Sequence, residues 1–269
     1  MRKFDYHLHT HLCGHARGTM EDMVRHAISA GFEEIGFADH LPLTYTDDKT
    51  LSMSRDELSG YVEEVLRLKE IYSGQITVRL GIEADYYPPR MSEVEQMLSE
   101  HPFEYIIGSI HYMRDWIFDD PRYVGRFEQI DLNAFYAEYL DSLVEMVQTG
   151  LFDILAHPDL VKKFGHRASF DLQPYYRKIL LAVKENHMCY EINTSGLRWP
   201  AGEMYPEPLF VRLGAELDVP VTLGSDAHCP EDIGKDFDKA LKLLEESGYK
   251  EMAILGNDSW ERIPISSCW

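Results

Sequence analysis

The sequence predicts an α/β protein built from parallel strand–helix units, and a closed or distorted barrel is the preferred architecture. Strand-like segments alternate with amphipathic helices along the whole chain of 269 residues. The sequence contains no low-complexity linker, internal repeat or break in composition, so we predict a single domain over residues 1–269. An open doubly wound sheet is the alternative. Both architectures bind ligands at the carboxyl ends of their strands.

Eight segments are predicted to be strands, because apolar and polar residues alternate in them or because they form a short apolar run. In chain order they cover residues 3–9, 33–39, 76–87, 104–113, 152–158, 188–196, 220–228 and, more weakly, 252–258. An aromatic-rich stretch without regular periodicity follows the fourth strand and extends to about residue 130.

The helices between these strands are predicted from capping residues and from the spacing of apolar residues. Thr19 and Asp22 form a capping-box pattern, and Ser54 and Glu57 form a second one. The helix after Ser54 carries apolar residues at helical spacing, namely Leu58, Tyr61, Val62, Val65 and Leu68. In chain order the predicted helices cover residues 19–31, 54–72, 92–100, 131–150, 171–187, 206–218 and 235–247.

Composition and charge restrict the class of protein and its partners. No apolar run is long enough to span a membrane, which takes roughly 18 residues, and no signal peptide opens the sequence, so we predict a cytoplasmic protein. The cysteines have no paired spacing and are predicted to be reduced: Cys13, Cys189, Cys229 and Cys268. The net charge of −20 disfavours nucleic acid and membrane surfaces as partners. An anionic substrate is still possible where cations are concentrated locally, and the oligomeric state is left open.

Histidine and acidic residues recur at one position, the carboxyl end of the predicted strands. Seven strands end in such residues: His7 and His9, His40, Glu83, His111, His157, Glu191, and Asp226 with His228. His7 and His9 are two residues apart and should point to one face of their strand, and Asp226 and His228 have the same spacing. Gly14 allows the chain to turn so that His15 returns to the same end. These ligands suit Zn, Mn or Fe(II) and exceed the needs of one ion, so we expect two or three.

Other residues near these strand ends have roles that the sequence leaves open. Asp5 shares the alternation of the first histidine pair, where it could orient one of the rings by accepting its second N–H. Asp85 faces the site or, alternatively, a helix or solvent, and Glu191 either supports a ligand or binds a substrate amine. We expect His11 and Cys13 to lie near the site without binding metal. The aromatic-rich stretch either lines a pocket or packs in the core.

The motifs DYHLHT…GHA, GFADH, GIEAD, GSIHY, LAHPDL and GSDAH resemble the polymerase and histidinol phosphatase (PHP) family of metal-dependent phosphoesterases. The stretches HLHTHLCGHA, HPDLVKKFGHR and PVTLGSDAH look most similar to its monofunctional histidinol-phosphate phosphatase branch. The resemblance covers residues 3–230 in matching order. It implies a distorted (β/α)7 TIM-like barrel that holds three divalent ions, Zn, Mn and/or Fe.

The resemblance also implies how the ligands are divided among the ions. In order, the three implied sets are His7, His9, Glu83 and Asp226; His15, His40 and His228; and His111 and His157 with Glu83 bridging. Every one of these positions holds the expected residue type. We expect Glu83, Asp226 and His228 to take part in catalysis.

Arginines in the loops after the strands are predicted to bind a phosphate group. Arg17 follows the first strand, Arg167 the fifth and Arg198 the sixth. A guanidinium group binds phosphate in a bidentate geometry. In the phosphatases that the sequence resembles, arginines in the loops of Arg167 and Arg198 contact phosphate. A surface ion pair is the alternative for each of the three.

Together these features predict a phosphomonoesterase that uses a metal-activated hydroxide. Two ions about 3.5–4 Å apart can hold a bridging hydroxide and stabilise both the attacking and the leaving oxygen. The resemblance implies that the substrate is L-histidinol phosphate, an intermediate of histidine biosynthesis. The alternatives are a PHP phosphoesterase acting on a nucleotide or a phosphotyrosyl protein, and a non-catalytic metal-binding protein. The last is disfavoured because no predicted ligand is lost.

Overall fold

A computed structural model describes residues 2–256 and 259–268. The weak strand predicted over 252–258 therefore includes two residues, Asn257 and Asp258, that lie outside the described residues, as do Met1 and Trp269. The chain divides into two compact units. The first contains residues 1–107, 223–237 and 267–269, and the second contains residues 108–222 and 238–266. The single domain over 1–269 stays a prediction.

Strands and helices alternate in the order that the sequence predicts. The strands are β1 (Phe4–Leu8), β2 (Glu34–Phe37), β3 (Thr77–Asp85), β4 (Tyr105–Ser109), β5 (Tyr112–Met113), β6 (Trp116–Ile117), β7 (Ile154–Leu155), β8 (Cys189–Asn193), β9 (Val221–Gly224), β10 (Glu251–Leu255) and β11 (Trp260–Pro264). The helices are α1 (Met20–Ser29), α2 (Arg55–Ile71), α3 (Met91–Ser99), α4 (Leu132–Gln148), α5 (Gln173–Glu185), α6 (Pro208–Glu216) and α7 (Phe237–Ser247). Seven strands form the main sheet in the order β1-β2-β3-β4-β7-β8-β9, which is chain order.

Both predicted capping boxes are confirmed. The Thr19 hydroxyl accepts a hydrogen bond from the Asp22 N–H, and the Asp22 carboxylate accepts one from the Thr19 N–H at 2.9 Å. At the start of α2 the Glu57 carboxylate accepts hydrogen bonds from the Ser54 N–H at 2.8 Å and from its hydroxyl at 2.6 Å. The apolar residues predicted for α2 are buried in the first unit. The local rules for helix starts therefore hold in this part of the chain.

Two glycines of the first unit are required by the close approach of a tyrosine ring. A Cβ atom at Gly36 would lie 2.0 Å from the Tyr105 hydroxyl oxygen, and one at Gly81 would lie 2.2 Å from Cζ of the same ring. The Tyr105 hydroxyl donates a hydrogen bond to the carbonyl oxygen of Tyr6 at 2.7 Å. The aromatic ring thus lies across the parallel strands β1, β2 and β3 where side chains are missing.

The strand predicted over 104–113 is too long. β4 ends at Ser109, and β5 pairs with β6 as an antiparallel hairpin. Arg114 and Asp115 connect the two and have φ angles of 49° and 57°, which is the pattern of a two-residue type I′ turn. A 3-10 helix, Pro121–Gln129, forms most of the remaining stretch.

Aromatic side chains after β4 pack in the core of the second unit. Trp116 is 3% exposed, and its ring lies 4.6 Å from that of Phe127 and 5.4 Å from that of Phe135, measured between centroids. Core packing is therefore the correct alternative for Trp116. In the same unit β10 pairs with β11, a strand that the sequence did not predict. Among the described residues no helix has the length and apolar character to cross a membrane.

Candidate metal centre

The first unit brings seven of the predicted ligands together at strand ends. Their ligand atoms lie within 4.8 Å of one another in three overlapping groups: His7, His9 and Asp226; His9, His40 and Glu83; and His15, His40 and His228. They come from the end of β1 and the loop after it, from the loop after β2, from β3, and from the loop after β9. The backbone holds these segments side by side, since the His9 N–H donates to the Ala227 carbonyl oxygen at 2.9 Å.

Glu83 directs one carboxylate oxygen at three histidine rings. It is 1% exposed on β3, and its Oε2 lies 2.9 Å from Nδ1 of His40. The same oxygen lies 3.6 Å from Nε2 of His7 and 3.6 Å from Nε2 of His9. A carboxylate among several imidazoles is a donor set typical of Zn, Mn or Fe sites.

The rings of His15 and His228 face each other with their Nε2 atoms, and in the neutral form both of these atoms are hydrogen-bond acceptors. Nδ1 of His15 lies 2.9 Å from the Cys13 carbonyl oxygen, and Nδ1 of His228 lies 3.0 Å from that of Asp226. Carbonyl oxygens only accept hydrogen bonds, so both Nδ1 atoms carry the proton of the neutral ring. The two Nε2 atoms are 2.9 Å apart, each with a lone pair directed at the other. When both rings are neutral, the two lone pairs suit a cation bound by both rings.

The pKa values of these two histidines favour the neutral, metal-binding form. Burial lowers the pKa of His15, and the neighbouring His40 and His9 lower it further. Burial also holds the pKa of His228 well below its ordinary value, with His9 adding to the effect. A metal ion binds the unprotonated ring nitrogen, so the electrostatics and the geometry of this pair agree.

His9 lies where the protein stabilises positive charge. Burial by itself lowers the pKa of His9, but hydrogen bonds to Asp226 and Asp39 overcome it and raise the pKa to about 9. Nε2 of His9 is 3.1 Å from Oδ1 of Asp226, and Nδ1 is 3.3 Å from Oδ1 of Asp39. Such a surplus of negative charge around a buried ring suits a bound divalent ion, which would replace the ring proton.

Asp39 is a functional residue that the sequence reasoning missed. Its carboxylate also accepts hydrogen bonds from the Thr10 N–H at 3.1 Å, from the Thr10 hydroxyl, and from the His40 N–H at 2.8 Å. Asp39 therefore fixes the orientation of His9 and the backbone of two neighbouring segments. Its position directly before His40 in GFADH was the available indication.

Asp5 binds backbone groups of three residues, and its predicted role in orienting a histidine ring stays a prediction. Its carboxylate accepts hydrogen bonds from backbone N–H groups: His7 at 3.3 Å, Ser225 at 3.0 Å and Gly234 at 3.0 Å. Burial raises the pKa of Asp5 to about 6, against the opposing effect of its hydrogen bonds with Ser225 and other neighbours. Asp5 thus joins β1 to the loop after β9.

The spacing of Asp226 and His228 predicted that both lie on one face of a strand. This prediction is wrong, because neither residue belongs to β9. β9 ends at Gly224, and Asp226 has a φ angle of 53°, in the left-handed region. Aspartate tolerates this conformation better than most residues, at a cost of about 1 kcal/mol. The bend brings the Asp226 carboxylate to His9, and Nδ1 of His228 lies 3.5 Å from the same carboxylate.

The remaining residues of the opening loop have different surroundings. His11 is exposed in a 3-10 turn that ends at Gly14, where φ is 81°, as the predicted turn requires. Cys13 is fully buried, and its sulfur lies within 4.8 Å of ring nitrogens of His9 and His228. Burial raises the pKa of the Cys13 thiol far above its ordinary value.

Arg17 is exposed, and its backbone N–H donates to the His228 carbonyl oxygen at 2.7 Å.

In the second unit, His111 and His157 are buried neighbours with ring centroids 5.2 Å apart. Glu191 is 1% exposed, and its Oε1 accepts hydrogen bonds from the His157 N–H at 3.1 Å and from Nδ2 of Asn193 at 2.8 Å. Of the two roles left open for Glu191, these contacts favour support of His157. Metal binding by the two histidines stays a prediction.

The two arginines predicted to bind phosphate in the second unit differ in exposure. Arg167 is exposed and forms an ion pair with Glu203, with Nη1 and Oε2 3.0 Å apart. Arg198 is half-buried at the end of a 3-10 helix, Thr194–Arg198. The ion pair of Arg167 is the alternative that the sequence left open, and it is compatible with exchange for a phosphate group. The phosphate-binding role of all three arginines stays a prediction.

Comparison with known proteins agrees with this organisation. The family model described as PHP domain matches residues 5–195. The chain is 39% identical over 245 residues to a probable histidinol-phosphatase of Deinococcus radiodurans, covering 91% of this chain and 93% of the relative. It is 30% identical to the histidinol-phosphatase of Bacillus subtilis, covering 90% and 99% of the two chains.

A solved structure has the same fold. The histidinol phosphate phosphatase of Lactococcus lactis, crystallised with zinc, L-histidinol and phosphate, matches with a TM-score of 0.83 and 24% identity, covering 97% of this chain and 99% of the other. This likeness confirms the predicted distorted (β/α)7 TIM-like barrel fold and excludes the open doubly wound sheet. With the family model and the two relatives, it shows that the chain belongs to the PHP family, in its histidinol-phosphatase branch.

Proposed function

We propose that this protein is a metal-dependent phosphomonoesterase that hydrolyses L-histidinol phosphate to L-histidinol and phosphate. The observation that carries the metal dependence is the pair of facing Nε2 atoms of His15 and His228, 2.9 Å apart. The substrate follows from the relatives, which are named histidinol-phosphatases and match nearly the whole chain. The relative crystallised with zinc, L-histidinol and phosphate supports the same assignment.

We assign the divalent ions to the ligands that the family resemblance implies. Two sets lie in the first unit: His7, His9, Glu83 and Asp226, and His15, His40 and His228. The third set, His111 and His157 with Glu83, rests on the resemblance. Zinc is the metal named for the Lactococcus lactis relative, and the donor set also suits Mn and Fe(II).

When bound, such ions lower the pKa of water and stabilise negative charge on phosphoryl oxygens. The part of the protein is to hold each ligand atom in place beforehand. Asp39 binds Nδ1 of His9 and so directs Nε2 towards Asp226 and Glu83. The Cys13 carbonyl oxygen binds Nδ1 of His15, and that of Asp226 binds Nδ1 of His228, so the Nε2 atoms of these two rings point towards each other. Rings that are fixed in this way need no rearrangement when they bind an ion.

We assign binding of the substrate's phosphate group to Arg167, Arg198 and Arg17. Guanidinium groups bind phosphate in pairs of parallel hydrogen bonds. Arg167 already binds a carboxylate, since its Nη1 donates one hydrogen bond to Oε2 of Glu203 at 3.0 Å. The predicted cytoplasmic location is consistent with the free cysteines of the described residues.

The test is phosphate release from purified protein loaded with one defined metal. L-histidinol phosphate is compared with p-nitrophenyl phosphate, a nucleoside monophosphate and a phosphotyrosyl peptide. We expect kcat/KM for L-histidinol phosphate to exceed the others by at least about 100-fold, because specific binding energy lowers the barrier only for the matched substrate. Equal rates on all four would contradict the substrate, and rates unaffected by chelation would contradict the metal dependence.

A further inference from the structure

We infer that Asp85, together with the rings of Tyr45 and Tyr87, forms a subsite for the cationic amine of the substrate. The inference rests on the proposed function and names a determinant of its specificity. All three residues belong to the first unit, which also holds seven of the predicted metal ligands.

Asp85 lies on the same strand face as a predicted metal ligand. It is the last residue of β3 and follows Glu83 by two positions, so both side chains leave the strand in the same direction. Its side chain is mostly buried, with a relative exposure of 7%. A carboxylate so placed at the end of a strand lies at the edge of the candidate metal centre.

The loop after β2 runs from the metal centre to Asp85. His40 forms a parallel bridge with Glu83, and the Leu41 N–H donates to the Glu83 carbonyl oxygen at 2.7 Å. Farther along this loop, the Tyr45 hydroxyl donates a short hydrogen bond of 2.5 Å to Oδ2 of Asp85. One segment thus carries a predicted metal ligand at its start and a partner of Asp85 at its end.

The tyrosine that binds the carboxylate packs against a second tyrosine ring. The ring of Tyr45 lies 5.6 Å from that of Tyr87, with an interplanar angle of 78°. Tyr87 is the second residue after Asp85, and both tyrosines are half-buried. The faces of such rings attract cations, and a carboxylate binds an ammonium group through charge-assisted hydrogen bonds.

This chemistry selects one end of L-histidinol phosphate over the other. A carboxylate repels the dianionic phosphate and attracts the ammonium group, while the neighbouring ions attract the phosphate. A carboxylate has lone pairs for several donors, so an ammonium group can bind beside the Tyr45 hydroxyl. Asp85 would therefore orient the substrate with its phosphate towards the ions.

The test compares two substrates that differ only in the amine. These are L-histidinol phosphate and its deamino analogue, 3-(imidazol-4-yl)propyl phosphate. We expect Asp85→Asn to reduce kcat/KM for L-histidinol phosphate by about 10- to 100-fold, which corresponds to loss of a hydrogen bond to a charged group. The effect on the deamino analogue should stay within about threefold. Tyr45→Phe should change the same ratio in the same direction, by a smaller factor.

A second measurement does not depend on turnover. Calorimetric titration should show that Asp85→Asn binds the product L-histidinol at least about tenfold more weakly, because the amine loses its charged partner. Metal content and thermal midpoint should match the wild type. The control is Asp47→Asn, which removes one negative charge from an exposed position of the same loop.

The outcomes separate this inference from the proposed function. If the wild type does not prefer L-histidinol phosphate to p-nitrophenyl phosphate, the proposed function fails. If the wild type shows this preference but Asp85→Asn loses activity equally on both matched substrates, Asp85 only anchors the loop and the inference is overturned. Unchanged kcat/KM on both substrates would overturn it as well.

Discussion

Nζ of Lys162 lies 2.9 Å from Oε2 of Glu203, and the same oxygen accepts a hydrogen bond from Nη1 of Arg167 at 3.0 Å. Lys162 is 1% exposed and also lies 2.7 Å from Oδ2 of Asp159 and 2.8 Å from the Met204 carbonyl oxygen. Burying an ammonium group is unfavourable unless it is paired. Glu203 therefore satisfies a buried cation and holds an exposed arginine at the same time.

We predict that Glu203→Gln lowers the free energy of unfolding by about 1–3 kcal/mol, because Lys162 loses a charged partner while it stays buried. Urea unfolding measures the change. Glu246→Gln is the matched control, since Glu246 is 65% exposed and 3.8 Å from Lys242, and its effect should stay below about 0.5 kcal/mol. Equal effects of the two substitutions would contradict the role of Glu203.

Asp39→Asn should weaken metal binding without removing a ligand. The carboxylate that orients His9 becomes an amide, and loss of such a partner commonly reduces metal affinity by about 10- to 100-fold. Competition with a chromophoric chelator measures the affinity, and activity should recover at high metal concentration. Asp47→Asn again serves as the control. An affinity equal to that of the wild type would show that His9 keeps its orientation without Asp39.

Removal of metal should lower the thermal stability, and zinc should restore it. Ligands that bind only the folded state stabilise it by about 2.7 kcal/mol when present at 100 times Kd. Scanning calorimetry before and after chelation measures the shift in Tm. His228→Ala should lose most of the zinc-dependent shift, whereas His26→Ala, a substitution in α1, should keep it. A zinc-dependent shift that His228→Ala retains in full would contradict the assignment of His228.

Glu104 should make stability depend on pH in the acid range. Burial alone raises the pKa of Glu104, but hydrogen bonds from Lys69, the Leu80 N–H and Arg79 outweigh it and lower the pKa below the ordinary 4.5. The folded state therefore binds this proton less tightly than the unfolded state. The contribution of Glu104 is present above about pH 4.5 and is lost as the pH falls through the lowered pKa.

Glu104→Gln should accordingly be less stable than the wild type at neutral pH, and the difference should shrink as the solution is acidified. Urea unfolding at several values between about pH 3 and pH 7 measures this. Glu104 is 23% exposed, so we expect a modest effect, on the order of 1 kcal/mol. A difference that does not change with pH would contradict the ion-pair explanation.

Gly36→Ala and Gly60→Ala should have opposite effects on stability. The new methyl group at position 36 would overlap the Tyr105 hydroxyl, whereas at position 60, inside α2, no atom beyond the adjacent residues and helix backbone lies within 4 Å of the added carbon. We expect Gly36→Ala to destabilise by about 1–3 kcal/mol and Gly60→Ala to stabilise by about 0.5–1 kcal/mol. Thermal unfolding checks both. Equal effects would mean that Tyr105 can move aside.

The fold and most of the candidate ligands could be predicted because they depend on local rules. A parallel strand ends near the end of its apolar run. A ligand at that point lies at the carboxyl end of the barrel, where active sites form, and this does not depend on which residues the other strands carry. Glu83 lies within the last three residues of β3, and His40 is the third residue after β2. The hairpin of β5 and β6 did not follow from periodicity, because two-residue turns with positive φ at Arg114 and Asp115 carry no glycine here.

The supporting contacts could not be predicted, because each depends on a partner far away in the sequence. Asp39 and Thr10 are 29 residues apart, and Lys162 and Glu203 are 41 apart. An acidic residue is equally plausible as a surface charge until its partner is known. The number of ions and the phosphate-binding role of the arginines also depend on groups far apart in the sequence, and both remain predictions.

The hydrogen bond from the Ser225 N–H to Asp5 joins residues that are 220 positions apart. During synthesis on the ribosome, His7 and His9 emerge early, but Asp226 and His228 follow only when most of the chain has been made. While the polypeptide grows, His7 and His9 therefore lack the other proposed ligands of their set. A cation held by the proposed ligands of both segments would therefore bind only after the loop that follows β9 has been made and has met β1.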